Sequence, residues 1–134
     1  MQGMPTIEAF SHLTLTISDL ESSVAWYAHA LGMKRGPDMS GPGWKRTLML
    51  AGPGVVIGLQ VHERTPQGDR FDEARVGLDH VSIACRDRAE VEAWLAMLDG
   101  AGVSHSPISA EPANLATCRD PDGIAIEFFA PRSN

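Results

Sequence analysis

Glu127 stands between Ile126 and Phe128 in the last apolar stretch of the chain. A carboxylate flanked in this way is costly to bury unless a proton, a cation or a metal stands beside it. Two histidines begin stretches that could carry an imidazole to it: His12, ahead of Leu13 to Ile17, and His80, ahead of Val81 to Cys85. Two imidazoles and one carboxylate, with coordination positions left open, form a donor set that suits a divalent first-row metal and leaves room for water or substrate. Simpler roles for the same residues stay open. A strand histidine can be a hydrogen-bonded structural residue, and Glu127 can pair with Arg46, Arg119 or Arg132.

The elements that must bring these residues together come in two copies. His12 and His80, Asp19 and Asp87, Trp26 and Trp94, and Gly32 and Gly100 share one offset, 80 − 12 = 68 residues. In the first copy His12, Thr14 and Thr16 alternate with Leu13, Leu15 and Ile17, which predicts a strand with one apolar and one hydrogen-bonding face. Asp19 is placed to cap a helix in which Leu20, Val24, Tyr27 and Leu31 recur at helical spacing, and Gly32 ends it. Residues 34 to 44, with Gly36, Pro37, Gly41, Pro42 and Gly43, read as a loop. Strands follow at Lys45 to Ala51 and Val55 to Val61, around a Gly52-Pro53-Gly54 turn. In the second copy His80, Ser82 and Ala84 alternate with Val81, Ile83 and Cys85. Asp87 and Glu90 make a start of the capping-box type before an apolar stripe of Val91, Trp94, Leu95 and Leu98. Ser104 to Asn114 is irregular, and Asp120-Pro121-Asp122-Gly123 turns the chain between two short final strands. Trp26, Trp94 and Tyr27 read as packing between helix and sheet. His29, on the outer helix face, and His105, in a loop, receive no role.

Composition narrows the function classes. The 134 residues, 43% of them hydrophobic, suffice for one core, whereas two halves of about 65 residues would each be marginal alone. The halves are therefore expected to share a core or to pair with another chain. A formal charge of −6 without a basic run argues against nucleic acid or an anionic membrane surface as partner. Cys85 and Cys118 form no CxxC pair and fall in apolar or alternating segments, as reduced thiols would. With no leader-like N-terminus and no run of about 18 apolar residues, a soluble, cytoplasmic protein is expected.

Phe10-Ser11-His12-Leu13-Thr14-Leu15, Trp26-Tyr27, Leu31-Gly32-Met33, Leu78-Asp79-His80-Val81 and Asp120-Pro121-Asp122-Gly123-Ile124-Ala125-Ile126-Glu127 together resemble the vicinal oxygen chelate superfamily. That superfamily holds glyoxalase I, fosfomycin-resistance transferases, methylmalonyl-CoA epimerase, extradiol dioxygenases and metal-free bleomycin-binding proteins. The resemblance implies an α+β fold, a single domain over residues 1–134 built from two tandem βαβββ units (8–62 and 78–131) joined by a linker (63–77). The mixed sheets would curl into an open cup or barrel. It places His12, His80 and Glu127 on metal-ligand positions for one divalent ion (Zn, Ni, Co, Mn or Fe(II)), with Glu127 also moving a proton. Glyoxalase-type members carry a further Glu where matching Gly54 to Gly123 puts Gly58, so Gln60 or His62 becomes the optional fourth ligand or a supporting group. Thr14, Ser82 and Phe129 would face the cup as substrate contacts, with Gln60 and His62.

The implied activity is that of a metal-dependent lyase or isomerase acting on a small oxygenated metabolite through adjacent oxygens. The alternative is a metal-free protein that sequesters a drug or metabolite. Fosfomycin-type thiol transfer ranks lower because Ser104 to Thr117 offers no Lys or Arg, and extradiol dioxygenation because the only tyrosine, Tyr27, lies in a helix. A homodimer with two sites is expected, in which His12 reaches the His80 and Glu127 of a second copy.

Overall fold

The computed structural model describes residues 3–132. The first unit runs β1 (Leu13–Thr16), α1 (Leu20–Leu31), β2 (Lys34–Gly41), β3 (Trp44–Ala51) and β4 (Val55–His62). The second runs β5 (Val81–Ala84), α2 (Arg88–Gly100), β6 (Asn114–Arg119) and β7 (Ala125–Ala130). The sheets have the orders β1-β4-β3-β2 and β5-β7-β6, each with one parallel pair, β1 with β4 and β5 with β7. They remain two open sheets and do not close into a barrel.

Local chemistry accounts for the helix ends. The Asp19 carboxylate accepts from the amide of Ser22 at 2.9 Å, and that of Asp87 from the amide of Glu90 at 2.9 Å. Glu90 does not complete a capping box, because its carboxylate pairs with Arg86 instead. Gly32 closes α1 in the left-handed region at φ 66°, which costs a glycine nothing.

One segment departs from the reading of the residues, and another from the unit that the resemblance implies. Residues 34–41, expected as loop, form strand β2, whose pairing with β3 shifts register between Arg35 and Asp38. Gly36 and Pro37 occupy the shift. A proline without an amide donor is tolerated there because β2 is an edge strand. In the second unit the segment read as irregular forms no strand, so among the described residues the βαβββ pattern implied by the resemblance lacks its second strand. The segment between α2 and β6 meets β6 at isolated bridges, His105–Cys118 and Ser109–Leu115, and through the Ser106 hydroxyl, which accepts the Thr117 amide at 3.0 Å, while Pro107 and Pro112 within it have no amide to donate.

Each sheet buries its apolar face under its own helix. Leu15, Met49, Ile57 and Leu59 pack against Val24, Tyr27 and Leu31, while Ile126, Phe128, Ala116 and Cys118 pack against Val91, Leu95 and Leu98. The two sets join in one core. Trp94 stacks on Phe128 at 5.0 Å and Trp26 meets Tyr27 edge-on at 4.9 Å. Burial pushes the Cys118 thiol up to about 11 and also raises that of Cys85. None of the described helices is long and apolar enough to cross a membrane.

The units are locked together at the Asp120-Pro121-Asp122-Gly123 turn. Asp120, 4% exposed, accepts from the amides of Asp122 and Ile124 at 2.9 Å each through Oδ1, and from the Tyr27 hydroxyl at 2.8 Å through Oδ2. Asp122 accepts the amide of Ser18 at 3.0 Å. The linker straps the same turn: the Phe71 amide donates to the Asp122 carbonyl at 3.1 Å and Arg70 to that of Pro121 at 3.0 Å. Burial raises the Asp120 carboxyl while the Tyr27 hydroxyl and the two amides hold it down. Tyr27→Phe removes one donor and leaves a buried carboxylate oxygen unpaired. It should therefore cost about 1–3 kcal/mol in urea unfolding, and an unchanged midpoint would show that this bond does not hold the units.

Candidate functional site

Pairing register fixes which side chains share a face. In the first sheet Thr14 pairs with Gly58 and Thr16 with Gln60, while Gly58 also pairs with Leu48, Gln60 with Arg46 and His62 with Trp44. These residues lie on the side away from α1. In the second sheet Ser82 and Thr117 flank Glu127 in register, and Phe129 lies two residues along. Each unit thus turns one hydrogen-bonding face away from its helix, as the period of two requires.

His80 and Glu127 meet. His80 Nε2 is 3.7 Å from Glu127 Oε1, and the other ring nitrogen, Nδ1, is 2.7 Å from Asp79 Oδ1. Ser82 donates to Glu127 Oε1 at 2.9 Å. The Asp79 hydrogen bond, ahead of the charge on Glu127, raises the His80 imidazole above its ordinary range. A carboxylate on Nδ1 fixes the ring orientation and aims Nε2 at Glu127, as outer carboxylates do for metal-binding histidines. None of the three arginines that could have neutralised Glu127 does so: Arg119 pairs with Glu73 at 2.7 Å, Arg132 with Glu111 at 2.9 Å, and Arg46 turns to Gln60.

His12 stands apart. It lies just before β1, exposed, with Nδ1 2.9 Å from the hydroxyl of Ser11 and no contact to His80 or Glu127 within the chain. Among the described residues no three of His, Cys, Asp and Glu gather closely enough to hold an ion. The two donors that do meet fit one. Ligands about 2.1 Å from a tetrahedral ion lie about 3.4 Å apart, close to the separation of His80 and Glu127. Within one chain, two of the three candidate donors thus come together.

The position across from Thr14 is filled in an unexpected way. Gly58 leaves a gap, and the Arg46 side chain crosses it: a Cβ at Gly58 would lie 2.8 Å from Thr14 Oγ1 and 3.2 Å from Arg46 Cδ. Arg46 Nε donates to Gln60 Oε1 at 2.6 Å, and Gln60 Nε2 lies 3.2 Å from His62 Nε2. The one Gln60 atom able to ligate a metal is thereby engaged by a guanidinium. Sequence reasoning passed over Arg46 as a member of this face. The signal was present in the alternation of Trp44, Arg46 and Leu48 with Lys45, Thr47 and Met49. Asp79 was equally readable, as an acid next to a candidate ligand. His105 has a structural task, since Nε2 meets Asp99 Oδ1 and Nδ1 the Ser106 carbonyl, both at 2.7 Å, tying the end of α2 to the following loop.

The sequence model of the Glyoxalase/Bleomycin resistance protein/Dioxygenase superfamily matches residues 9–128. A lactoylglutathione lyase of Salmonella typhimurium is 27% identical over 128 residues, covering 88% of this chain and 89% of its own. A crystal structure of a glyoxylase/bleomycin resistance protein/dioxygenase domain from Frankia sp. EAN1pec superposes with a TM-score of 0.85 at 30% identity, covering 95% of this chain and all of that one. The genomically encoded fosfomycin resistance protein FosX of Listeria monocytogenes, solved with Mn(II) and sulfate, shares the fold at 19% identity, with a TM-score of 0.68 and 95% of each chain covered.

The crowding at Gly58 gives a direct check. Gly58→Ala forces Thr14 or Arg46 to move and should lower stability by about 1–3 kcal/mol in urea unfolding. An alanine variant as stable as the parent would mean that the gap is not filled as described.

Proposed function

The chain belongs to the glyoxalase/bleomycin resistance protein/dioxygenase superfamily, and from that premise we propose that it is a metal-dependent lyase or isomerase of the glyoxalase type, acting on a small oxygenated metabolite. The observation that carries this reading is the His80–Glu127 pair, 3.7 Å apart and braced by Asp79 and Ser82. His80 and Glu127 would hold a divalent ion (Zn, Ni, Co, Mn or Fe(II)), with His12 supplied by a second copy in a homodimer. Such an ion, when bound, acts as a Lewis acid toward two neighbouring oxygens of the substrate.

The chain's own residues do the rest. Asp79 keeps the His80 ring from rotating, so Nε2 stays directed toward Glu127. Ser82 occupies one lone pair of Glu127 Oε1 and leaves Oε2 without a hydrogen-bond partner among the described residues, free to accept a proton from the substrate and return it. Phe129, 37% exposed beside Glu127, supplies apolar contact, and Thr14 with the Gln60–His62 pair lines the other half of the cup. Two free thiols, Cys85 and Cys118, suit a reducing cytoplasmic compartment.

Elemental analysis of the purified protein tests the reading. About one transition-metal ion per chain is expected, falling at least tenfold in His80→Ala and in Glu127→Gln, with a Tm that drops when the parent is treated with a chelator. A protein that takes up none of Ni, Co, Zn, Mn or Fe(II) would overturn it and favour sequestration of a ligand without chemistry.

A further inference from the structure

Arg46 is the half-buried cation of the described chain that has no acidic partner. Arg35, Arg75, Arg86, Arg88, Arg119 and Arg132 all pair with carboxylates, and the unpaired Lys34, Lys45, Arg64 and Arg70 are exposed. Its guanidinium is nevertheless held in place. Nε donates to Gln60 Oε1 at 2.6 Å, Nη1 reaches only the weak acceptor Met39 Sδ at 3.5 Å, and the group lies over the Trp44 ring, 5.0 Å from its centroid. Nη2 has no acceptor among the described residues. A guanidinium partly withdrawn from water without a counter-charge is unfavourable, in a chain that carries six formal negative charges in excess.

We propose that Arg46 is the anchor for a carboxylate on the small molecule taken by the cup, so that the ligand class is a monocarboxylate. A planar fork of donors fits a planar pair of oxygens, and Gln60 and Trp44 have already restricted its orientation, so little entropy is lost on docking. Gly58 supplies the space: with no side chain there, the arginine lies flat across the sheet, and the Thr14 hydroxyl borders the same gap as a second donor. A dianion such as a phosphate ester or phosphonate suits this face less well, since the other cation that register places on it, Lys34, lies opposite Leu50, four residues along β3 from Arg46, and the net charge of the chain opposes a second negative charge. The proposal rests on the cup reading above for where the ligand sits, and it does not require the metal.

The test uses neutral and charged probes of matched shape: acetate with acetamide, butyrate with butyramide, and phenylacetate with phenylacetamide. Each is titrated into the purified protein and followed by the side-chain NMR signals of Arg46, assigned by their loss in Arg46→Lys, and by indole fluorescence. At least one carboxylate should shift the Arg46 signals and bind about tenfold more tightly than its amide. Arg46→Gln should abolish that preference, Arg46→Lys should retain part of it, and His80→Ala should leave it intact. The proposal is overturned if no carboxylate moves the Arg46 signals, if the preference survives in Arg46→Gln, or if His80→Ala removes it, which would place the carboxylate on the metal donors. A second copy's Glu127 seated on Arg46 would give the first of these results. Metal content measured on the same samples separates the two readings, because a protein without metal can still show the Arg46-dependent preference.

Discussion

The arrangement depends on a buried carboxylate. Asp120 takes bonds from its own turn and one from Tyr27 on the helix of the other unit, and Asp122 takes a fourth from Ser18, at the end of the first strand segment. An acid withdrawn from water is tolerated only when such donors converge on it, so the bond set admits few alternative geometries. The consequence is positional. β7 starts at that turn, so the same bonds that secure the turn set where Glu127 stands relative to β1 and its preceding His12. A segment that reads as a family signature with catalytic overtones is, in this fold, the bracket that fixes the site from outside.

The legible part of the fold followed from periodicity and capping. The duplicated strand and helix, the Asp19 and Asp87 caps, and the shared facing of Ser82 and Glu127 could all be read because a strand alternates and a helix begins with orphan amides. Strand β2 could not. Its Gly and Pro content is loop chemistry, and only its edge position and register shift, which are tertiary facts, make the strand possible. The second unit's missing strand shows the converse, since the repeat suggested symmetry that Pro107 and Pro112 deny. At the site, the meeting of His80 and Glu127 was inferable from the pairing of first and last strands, whereas the pairing of Arg46 with Gln60 depends on cross-strand register across a three-residue turn.

The two polar faces differ in charge, and that difference organises the functional account. The second unit offers an imidazole and a carboxylate at 3.7 Å. The first offers His12 at its edge and, where glyoxalase-type relatives would carry another acid, a glycine overlaid by an arginine. Replacing a negative group by a positive one lowers the affinity of the cup for a cation and raises it for an anion. On the proposed reading one wall would hold the metal and the opposite wall the ligand's charge.

Complementation shows whether the two walls belong to different chains. Chains carrying His12→Ala, coexpressed with chains carrying Glu127→Gln, form mixed dimers in which one site has lost both groups and the other has lost neither. With random pairing, about one quarter of the parental metal content should return, in a sample where each variant alone holds almost none. A coexpressed sample that binds no more metal than the separate variants would contradict the account and place all the donors within one chain.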